Sequence, residues 1–348
     1  MTTAKPFLNV LAGRAEEVPP VWLMRQAGRY LPEYRDVRAQ AGGFLDLVFN
    51  PALACEVTLQ PLRRFRFDAA ILFSDILIVP QVMNCAVRFD AGEGPRLDAI
   101  DDAFIEALDP GNFKFDIFTP VFETVSLIAE GMKAEGFDQT ALIGFAGSPW
   151  TVACYMIEGG GSADFSTALR WAKEKPEALR ILLDRLADVT AAYLVNQVAA
   201  GAEVLQLFDS WAGLLTDEDD FMRWIVAPTA RVIERVRQFY PDVPIIGFPR
   251  GAGVHYKLYA EKADVQALGL DQHVTIAKAQ RYQRLLPVQG NLDPAVLVSG
   301  EGLEDAIDKI VEGLAQGPHI FNLGHGIDKE TPPAHVTRLV DHIRRSRT

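Results

Sequence analysis

Arg25, Arg29, Arg35 and Arg38 fall within fourteen positions, interleaved with Gly28, Tyr30, Pro32 and Tyr34. A guanidinium is a planar fork of donors that matches the two edges of a carboxylate or phosphate. A cluster of such forks suits a ligand bearing several anionic groups. In a chain of formal net charge -12 this cationic block works against the overall charge. If the stretch begins a helix, Arg25 and Arg29 stand at i and i+4 on one face. The plainer alternative is a solvated helical face with surface ion pairs, in which Arg35 pairs with Glu33 or Asp36.

Other chemistry-bearing residues follow short apolar runs. Asp75 comes after Ile71-Leu72-Phe73-Ser74, and either works at a strand end or caps a helix beginning at Ile76. His325 lies between Gly324 and Gly326, small neighbours that admit a ligand closely, although structural histidines are common. Tyr155 sits where Ser148-Pro149-Trp150-Thr151 opens a helix, as a core aromatic or a ligand contact. Ser210 lacks a G-x-S-x-G elbow, which argues against a nucleophile. Gly159-Gly160-Gly161-Ser162 lacks the Lys-Ser/Thr of a phosphate loop and reads as a turn or lid. No His/Cys/Asp/Glu set has metal-ligand spacing, and no cysteine follows Cys154, so no metal is expected.

The elements that must carry these residues alternate. Strands are expected at Ala70–Phe73, Ala141–Phe145, Val204–Phe208, Pro244–Phe248, Ala267–Leu270, Pro287–Gln289 and His319–Asn322. Such short apolar runs without strict alternation suit a parallel sheet buried on both faces. Between them run helical patterns, among them 176–198, whose leucines share a face, and one opened by Thr216-Asp217-Glu218-Asp219. The fold class is therefore α/β, with a single-domain (β/α)8 barrel over residues 1–348 as the leading architecture. The pattern leaves the eighth strand unassigned, and residues 81–95 read as an inserted hairpin. A doubly wound open sheet is second, since no G-x-G-x-x-G follows the first strand. In a barrel the carboxyl ends of the strands share one face. Asp75, Ser148, Ser210, Asp271, Asn291 and His325 all follow strands, which gathers them there.

Composition narrows the partners. A net charge of -12 argues against nucleic acid, which needs a broad basic face. Cys55, Cys85 and Cys154 form no close-spaced pair, as in a reducing cytoplasm. Met1–Leu11 lacks a signal-peptide pattern, and no apolar run approaches the roughly 18 residues of a membrane span. A cytoplasmic protein is expected.

Read together, these stretches resemble a known family. Trp22 through Arg35, Gly144 through Thr151 and Tyr155 through Ser162 are similar to the two long motifs of the uroporphyrinogen decarboxylases. Phe73-Ser74-Asp75-Ile76-Leu77, Gln289-Gly290-Asn291-Leu292-Asp293 and Asn322-Leu323-Gly324-His325-Gly326 match in the same order along the chain. The resemblance implies a distorted (β/α)8 barrel, a homodimer, and a reaction without cofactors in haem biosynthesis. The four acetate side chains of uroporphyrinogen III lose CO2 to give coproporphyrinogen III. It further implies substrate contacts at Arg25, Gln26, Ala27, Gly28, Arg29, Arg38, Asp75, Tyr155, Ser210 and His325, with Asp75, Arg25 and Arg29 closest to the chemistry. Trp211 stands where many members carry histidine, and no catalytic role is assigned there. The identity of the proton donor stays open, because an arginine is a poor acid at its normal pKa.

Two rival readings share the barrel. Zinc-dependent corrinoid methyltransferases need a His-x-Cys pair and a later cysteine, whereas this chain reads His255-Tyr256-Lys257 with no cysteine beyond it. A tetrapyrrole-binding protein without turnover is the other.

Overall fold

Apolar runs that are buried from end to end define the sheet. In the computed structural model, which describes residues 5–89 and 94–345, the expected strands appear as β1 (Ala69–Ile71), β4 (Ala141–Gly147), β5 (Val204–Asp209), β6 (Ile245–Pro249), β7 (Ala267–Gly269), β8 (Val288–Gln289) and β9 (His319–Ile320). They pair in the order β1-β4-β5-β6-β7-β8-β9, every neighbour parallel, into one curled sheet with helices outside. All seven residues of β4 and all five of β6 are buried, which accounts for the absence of alternation in the sequence.

Polar side chains lock helices and strands together where the ladder leaves gaps. Gln197, on the long helix Pro176–Ala199, is fully buried. Its Oε1 accepts the Phe145 N–H (2.8 Å) and its Nε2 donates to the Phe145 carbonyl (3.0 Å). A Cβ on Gly144 would lie 2.5 Å from that oxygen, so this approach requires glycine. Inside the curl, Trp22 Nε1 donates to Gln289 Oε1 (2.9 Å), and Gln289 Nε2 donates to Gln206 Oε1 (3.2 Å). This short polar ladder crosses the interior between opposite walls.

The edges β1 and β9 are both capped by the same short segment. Val21 bridges Phe321 in parallel; Phe321 N–H donates to Pro20 O (2.9 Å), and Asp68 N–H donates to Val21 O (2.9 Å). Val21 N–H returns a bond to Asp68 Oδ2 (2.8 Å).

The insertion after β1 is a helix, Ile78–Val82, followed by the antiparallel pair β2 (Val87–Phe89) and β3 (Pro95–Leu97). The expected hairpin is therefore present but narrower, and its tip, residues 90–93, lies outside the described residues, as do residues 1–4 of the N-terminal stretch. Gly159-Gly160 is the dock for this hairpin, which corrects the lid reading. Leu97 N–H donates to Gly159 O (2.9 Å), Gly160 bridges Arg96, and a Cβ on Gly160 would lie 2.8 Å from Pro95 O. The acidic helix start falls where the sequence places it: Asp217 caps Glu218–Phe221, its carboxylate accepting the N–H groups of Asp219 and Asp220.

Candidate active site

The cationic block is a turn and not a helix. Arg25 has φ +63°, and a Cβ on Gly28 would lie 2.9 Å from the Arg25 carbonyl, so the chain doubles back on itself. The helix begins only at Pro32 and runs to Ala41, with Leu31 extended before the proline. The i,i+4 geometry expected for Arg25 and Arg29 is thus replaced by a turn that exposes both side chains. Main-chain bonds hold it. Met24 N–H donates to Asn322 Oδ1 (3.0 Å), and Met24 O accepts the Ile327 N–H (2.8 Å). Gln26, only 1% exposed, spends its side chain inward, accepting from Leu23 N–H (3.2 Å) and donating to Ala69 O (3.1 Å). It braces the turn against β1. Arg35 turns back to the carbonyl of Arg29 (2.8 Å), while Glu33, its expected partner, is taken by Arg64 (2.7 Å). Arg38 donates to the Gly42 carbonyl (2.8 Å) at the end of its helix. Arg25, Arg29 and Arg38 make no salt bridge among the described residues. The neighbouring positions Ala27 and Gly28 remain half-buried at the rim.

Asp75 stands just beyond β1, partly open to the cleft. Its Oδ1 accepts the Leu77 N–H (2.8 Å), a local turn ahead of the helix at Ile78, and its Oδ2 accepts no hydrogen bond from the described residues. The capping alternative is therefore met in part, by one oxygen only. Crowding by protein raises the carboxyl to about 6, against the opposing pull of the Leu77 N–H and of Arg25. Tyr155, on the helix Pro149–Glu158, has its phenol raised by burial, drawn down by the Trp211 indole, raised by Asp75 and lowered by Arg25. Its ring packs edge-on to Phe165 at 5.8 Å and tilts over Trp211 at 6.1 Å.

His325 completes the group. Burial, then the charges of Arg250 and Arg25, push its imidazole down to about 4, so it is neutral at physiological pH. The glycines beside it serve the protein before any ligand. A Cβ on Gly324 would lie 2.2 Å from Gln272 N, and one on Gly326 would lie 2.5 Å from Arg25 Cδ. Close packing by Gln272 and Arg25 is what they permit, in place of the expected close approach by a ligand. Gly326→Ala is accordingly expected to displace Arg25 and raise KM about tenfold, on the order of 1.4 kcal/mol, with little change in melting temperature. Steady-state kinetics beside a thermal melt checks it.

The end of β5 supplies the opposite wall. Thr151 Oγ1 donates to Asp209 Oδ1 (2.6 Å) and accepts the Trp211 N–H (3.1 Å), while Trp150 Nε1 donates to the Trp211 carbonyl (3.1 Å). The main chain of Trp211 is thereby held at its N–H and its carbonyl by the helix that carries Tyr155. Burial lifts the Asp209 carboxyl to about 7, partly offset by the Thr151 hydroxyl. Beside it opens a cleft of about 230 Å³ lined by Ser210, Trp211, Gly213, Leu214, Arg250 and Asp271. Phe145, Phe208 and Phe248 stack edge to face at 5.6 and 6.3 Å beneath the strand ends, an apolar floor.

The structure thus brings Arg25, Asp75, Tyr155 and His325 into one electrostatic group, with Ser210 on the facing wall. Arg29 and Arg38 lie to one side, where both act on the buried Tyr34 phenol. Sequence reasoning missed Asn322 and Arg250. The first is a fully buried residue inside a quoted motif; the second is a lone arginine directly after β6, a strand-end position that carried the same signal as the others.

Comparison with known proteins gives the site its context. The uroporphyrinogen decarboxylase (URO-D) family model matches residues 2–346. The uroporphyrinogen decarboxylase of Rhodospirillum rubrum is 52% identical over 348 residues, covering 99% of this chain and 98% of the relative. That of Mesorhizobium japonicum is 51% identical, covering 99% of both. Among solved structures, a methyltransferase from Methanosarcina mazei superposes with a TM-score of 0.78 at 18% identity, covering 99% of each chain. A B12-independent methionine synthase from Shewanella sp. gives 0.53 at 9% identity, covering 95% of this chain and 98% of the other. These two likenesses concern the fold alone. With the family motif spanning nearly every residue and half the positions identical to curated members, the chain belongs to the uroporphyrinogen decarboxylase family.

Proposed function

We propose that the protein removes the carboxyl groups of the four acetate side chains of uroporphyrinogen III, releasing CO2 and coproporphyrinogen III, without a cofactor. The observation that carries this reading is Asp75: a recessed strand-end carboxyl with one oxygen uncommitted, facing Arg25 and Tyr155.

The chemistry needs such a group. Losing CO2 directly from a pyrrole acetate would leave an unstabilised carbanion. A proton added to a ring carbon makes the pyrrole an electron sink: the C–CO2 bond then breaks, and its electron pair forms an exocyclic methylene and neutralises the ring. The methylene is protonated to a methyl, and the proton first added to the ring carbon leaves to restore the pyrrole, so that one proton is consumed for each CO2 released. Positive charge develops on the ring nitrogens. An ionised Asp75, accepting the pyrrole N–H groups through Oδ2, holds the macrocycle and stabilises that charge. Arg25 orients the reacting acetate, and Arg29 and Arg38 pair with other carboxylates at the rim. Neutral His325, Tyr155 and Ser210 offer hydrogen bonds to the side-chain carboxylates. Gln26 acts through the turn it braces, beside Ala27 and Gly28.

Further parts of the reading concern the assembly. We take residues 1–348 as one domain and Pro20–Trp22 as the eighth stave of a distorted (β/α)8 barrel, supported by its bonds to both sheet edges. We read the protein as a cytoplasmic homodimer. Its cysteines are unpaired, in keeping with a reducing compartment, and among the described residues no helix is long and apolar enough to cross a membrane.

Incubation of the purified protein with uroporphyrinogen III under anaerobic, reducing conditions tests the activity. Coproporphyrinogen III, with intermediates of seven, six and five carboxyls, is the expected product series. Absence of any decarboxylated product would leave a binding protein.

A further inference from the structure

The arginine turn lies on one side of the cleft only, yet the proposed substrate carries carboxylates around its whole rim. Among the described residues the wall opposite carries Arg250, at the end of β6 and close enough to act on His325, with His273 lining the same cleft. The main chain of Arg250 is fixed on three sides: the N–H donates to Asp209 O (3.0 Å) and Phe248 O (3.1 Å), and the carbonyl accepts the Gly213 N–H (3.1 Å). Its half-buried side chain makes no salt bridge among the described residues. The carboxylates nearby are committed elsewhere: Asp209 Oδ1 takes the Thr151 hydroxyl (2.6 Å), and Asp271 is held on both oxygens. Its Oδ2 takes the Gly251 N–H (2.8 Å) and the Tyr256 hydroxyl (2.7 Å), and its Oδ1 takes the His273 N–H (2.8 Å).

The cavity beside Arg250 is shaped by backbone contact. A Cβ on Gly213 would lie 2.7 Å from the Gly251 carbonyl, so two loops touch main chain to main chain, with Gly251 at φ +76°. Trp211 and Leu214 form an apolar wall, and Arg250 and Ser210 supply polar groups. At roughly 30 Å³ per water, the 230 Å³ cavity has ample room for an arm of five heavy atoms. An apolar wall leading to a guanidinium fits a short methylene stem ending in a carboxylate.

We propose that Arg250 and the Trp211–Leu214 wall form a second carboxylate seat, which takes a propionate arm of the tetrapyrrole across the cleft from Arg25. This rests on the function proposed above. Propionates, unlike acetates, survive the reaction, and the 230 Å³ cavity holds their longer arm. The seat therefore holds substrate, intermediates and product alike. It serves as an anchor while the acetates are presented in turn, and it shields His325 from carrying that charge.

Arg250→Gln and Arg250→Lys test the seat, with KM for uroporphyrinogen III and competitive inhibition by coproporphyrinogen III both measured anaerobically. In Arg250→Gln, KM and the inhibition constant for the product are each expected to rise about tenfold or more, typical of a lost charged hydrogen bond, with kcat changed by less. Arg250→Lys recovers part of both. Melting temperature and tryptophan fluorescence, the latter reporting on Trp211, stay as in the wild type. Unchanged product inhibition with a raised KM would mean an acetate is read there, and overturns the propionate seat; unchanged values of both overturn any carboxylate seat. The function proposal stands or falls separately, on turnover by the wild type.

Discussion

Asp75→Asn is expected to lower kcat by about 10²–10³-fold, the scale of removing one preorganised electrostatic group, while melting no lower than the wild type at pH 8. Asparagine keeps the shape and the Oδ1 acceptor that holds the Leu77 N–H, so the turn survives. What is lost is a negative charge aimed at the developing cation. The stability sign follows from the raised pKa of about 6. Folding binds the Asp75 proton more tightly than the unfolded chain does, so this group costs stability as pH rises from about 4 through 6 and keeps costing it above. Removing the ionisation relieves that cost. Activity runs the other way, since the carboxylate is needed ionised: kcat/KM is expected to rise with pH through an inflection near 6, and the variant to lack that limb. Asp209, lifted to about 7, is turned toward Thr151, and His325 titrates near 4, so the loss of the limb in Asp75→Asn assigns it. Turnover at wild-type rates in that variant would remove Asp75 from the chemistry.

For Arg25→Ala the expected loss is in kcat/KM, by about 10²-fold, corresponding to a charged hydrogen bond of roughly 1.5–3 kcal/mol. A second signature distinguishes it from a folding defect. Arg25 lowers the pKa of both Asp75 and His325. Its removal should therefore move the acid limb of the pH profile to higher pH, and move the His325 titration upward with it. Arg25→Lys keeps the charge without the planar fork, so it is expected to restore the position of the limb while recovering only part of kcat/KM. A pH profile that does not move would place Arg25 away from Asp75 in the working enzyme. Alanine at φ +63° is no easier to hold than arginine, so little change in stability is expected from the backbone.

Each expected strand is present because its apolar run had no other use: β4 and β6 are buried throughout, and neither helix periodicity nor alternation competes. The positions just after those strands supply most of the candidate site: Asp75 and His325 share one electrostatic group with Arg25 and with Tyr155 of the following helix, and Ser210 lines the cleft at the end of β5. The sequence left open whether the arginine stretch begins a helix, because a left-handed non-glycine residue at Arg25 leaves no mark in composition; only Pro32 signals where a helix can begin. Gln26 looked like a ligand contact and is a brace, since its partners lie at Leu23 and, far along the chain, Ala69. The glycines around His325 were legible as close-approach positions, yet what approaches them, Gln272 and Arg25, is set by tertiary packing. Arg250 was passed over because a single arginine announces itself only once its neighbours are known.

The latch between Met24 and Asn322 spans 298 residues. A chain emerging during synthesis can build most of its sheet by adding each strand to the one before, but it cannot set the arginine turn until β9 and the loop after it have been made. Binding of a polyanionic tetrapyrrole is therefore a readout of completed folding. A chain stalled before residue 322 has its arginine turn braced only through Gln26, and lacks the bonds from Asn322 and Ile327 to Met24 that complete it.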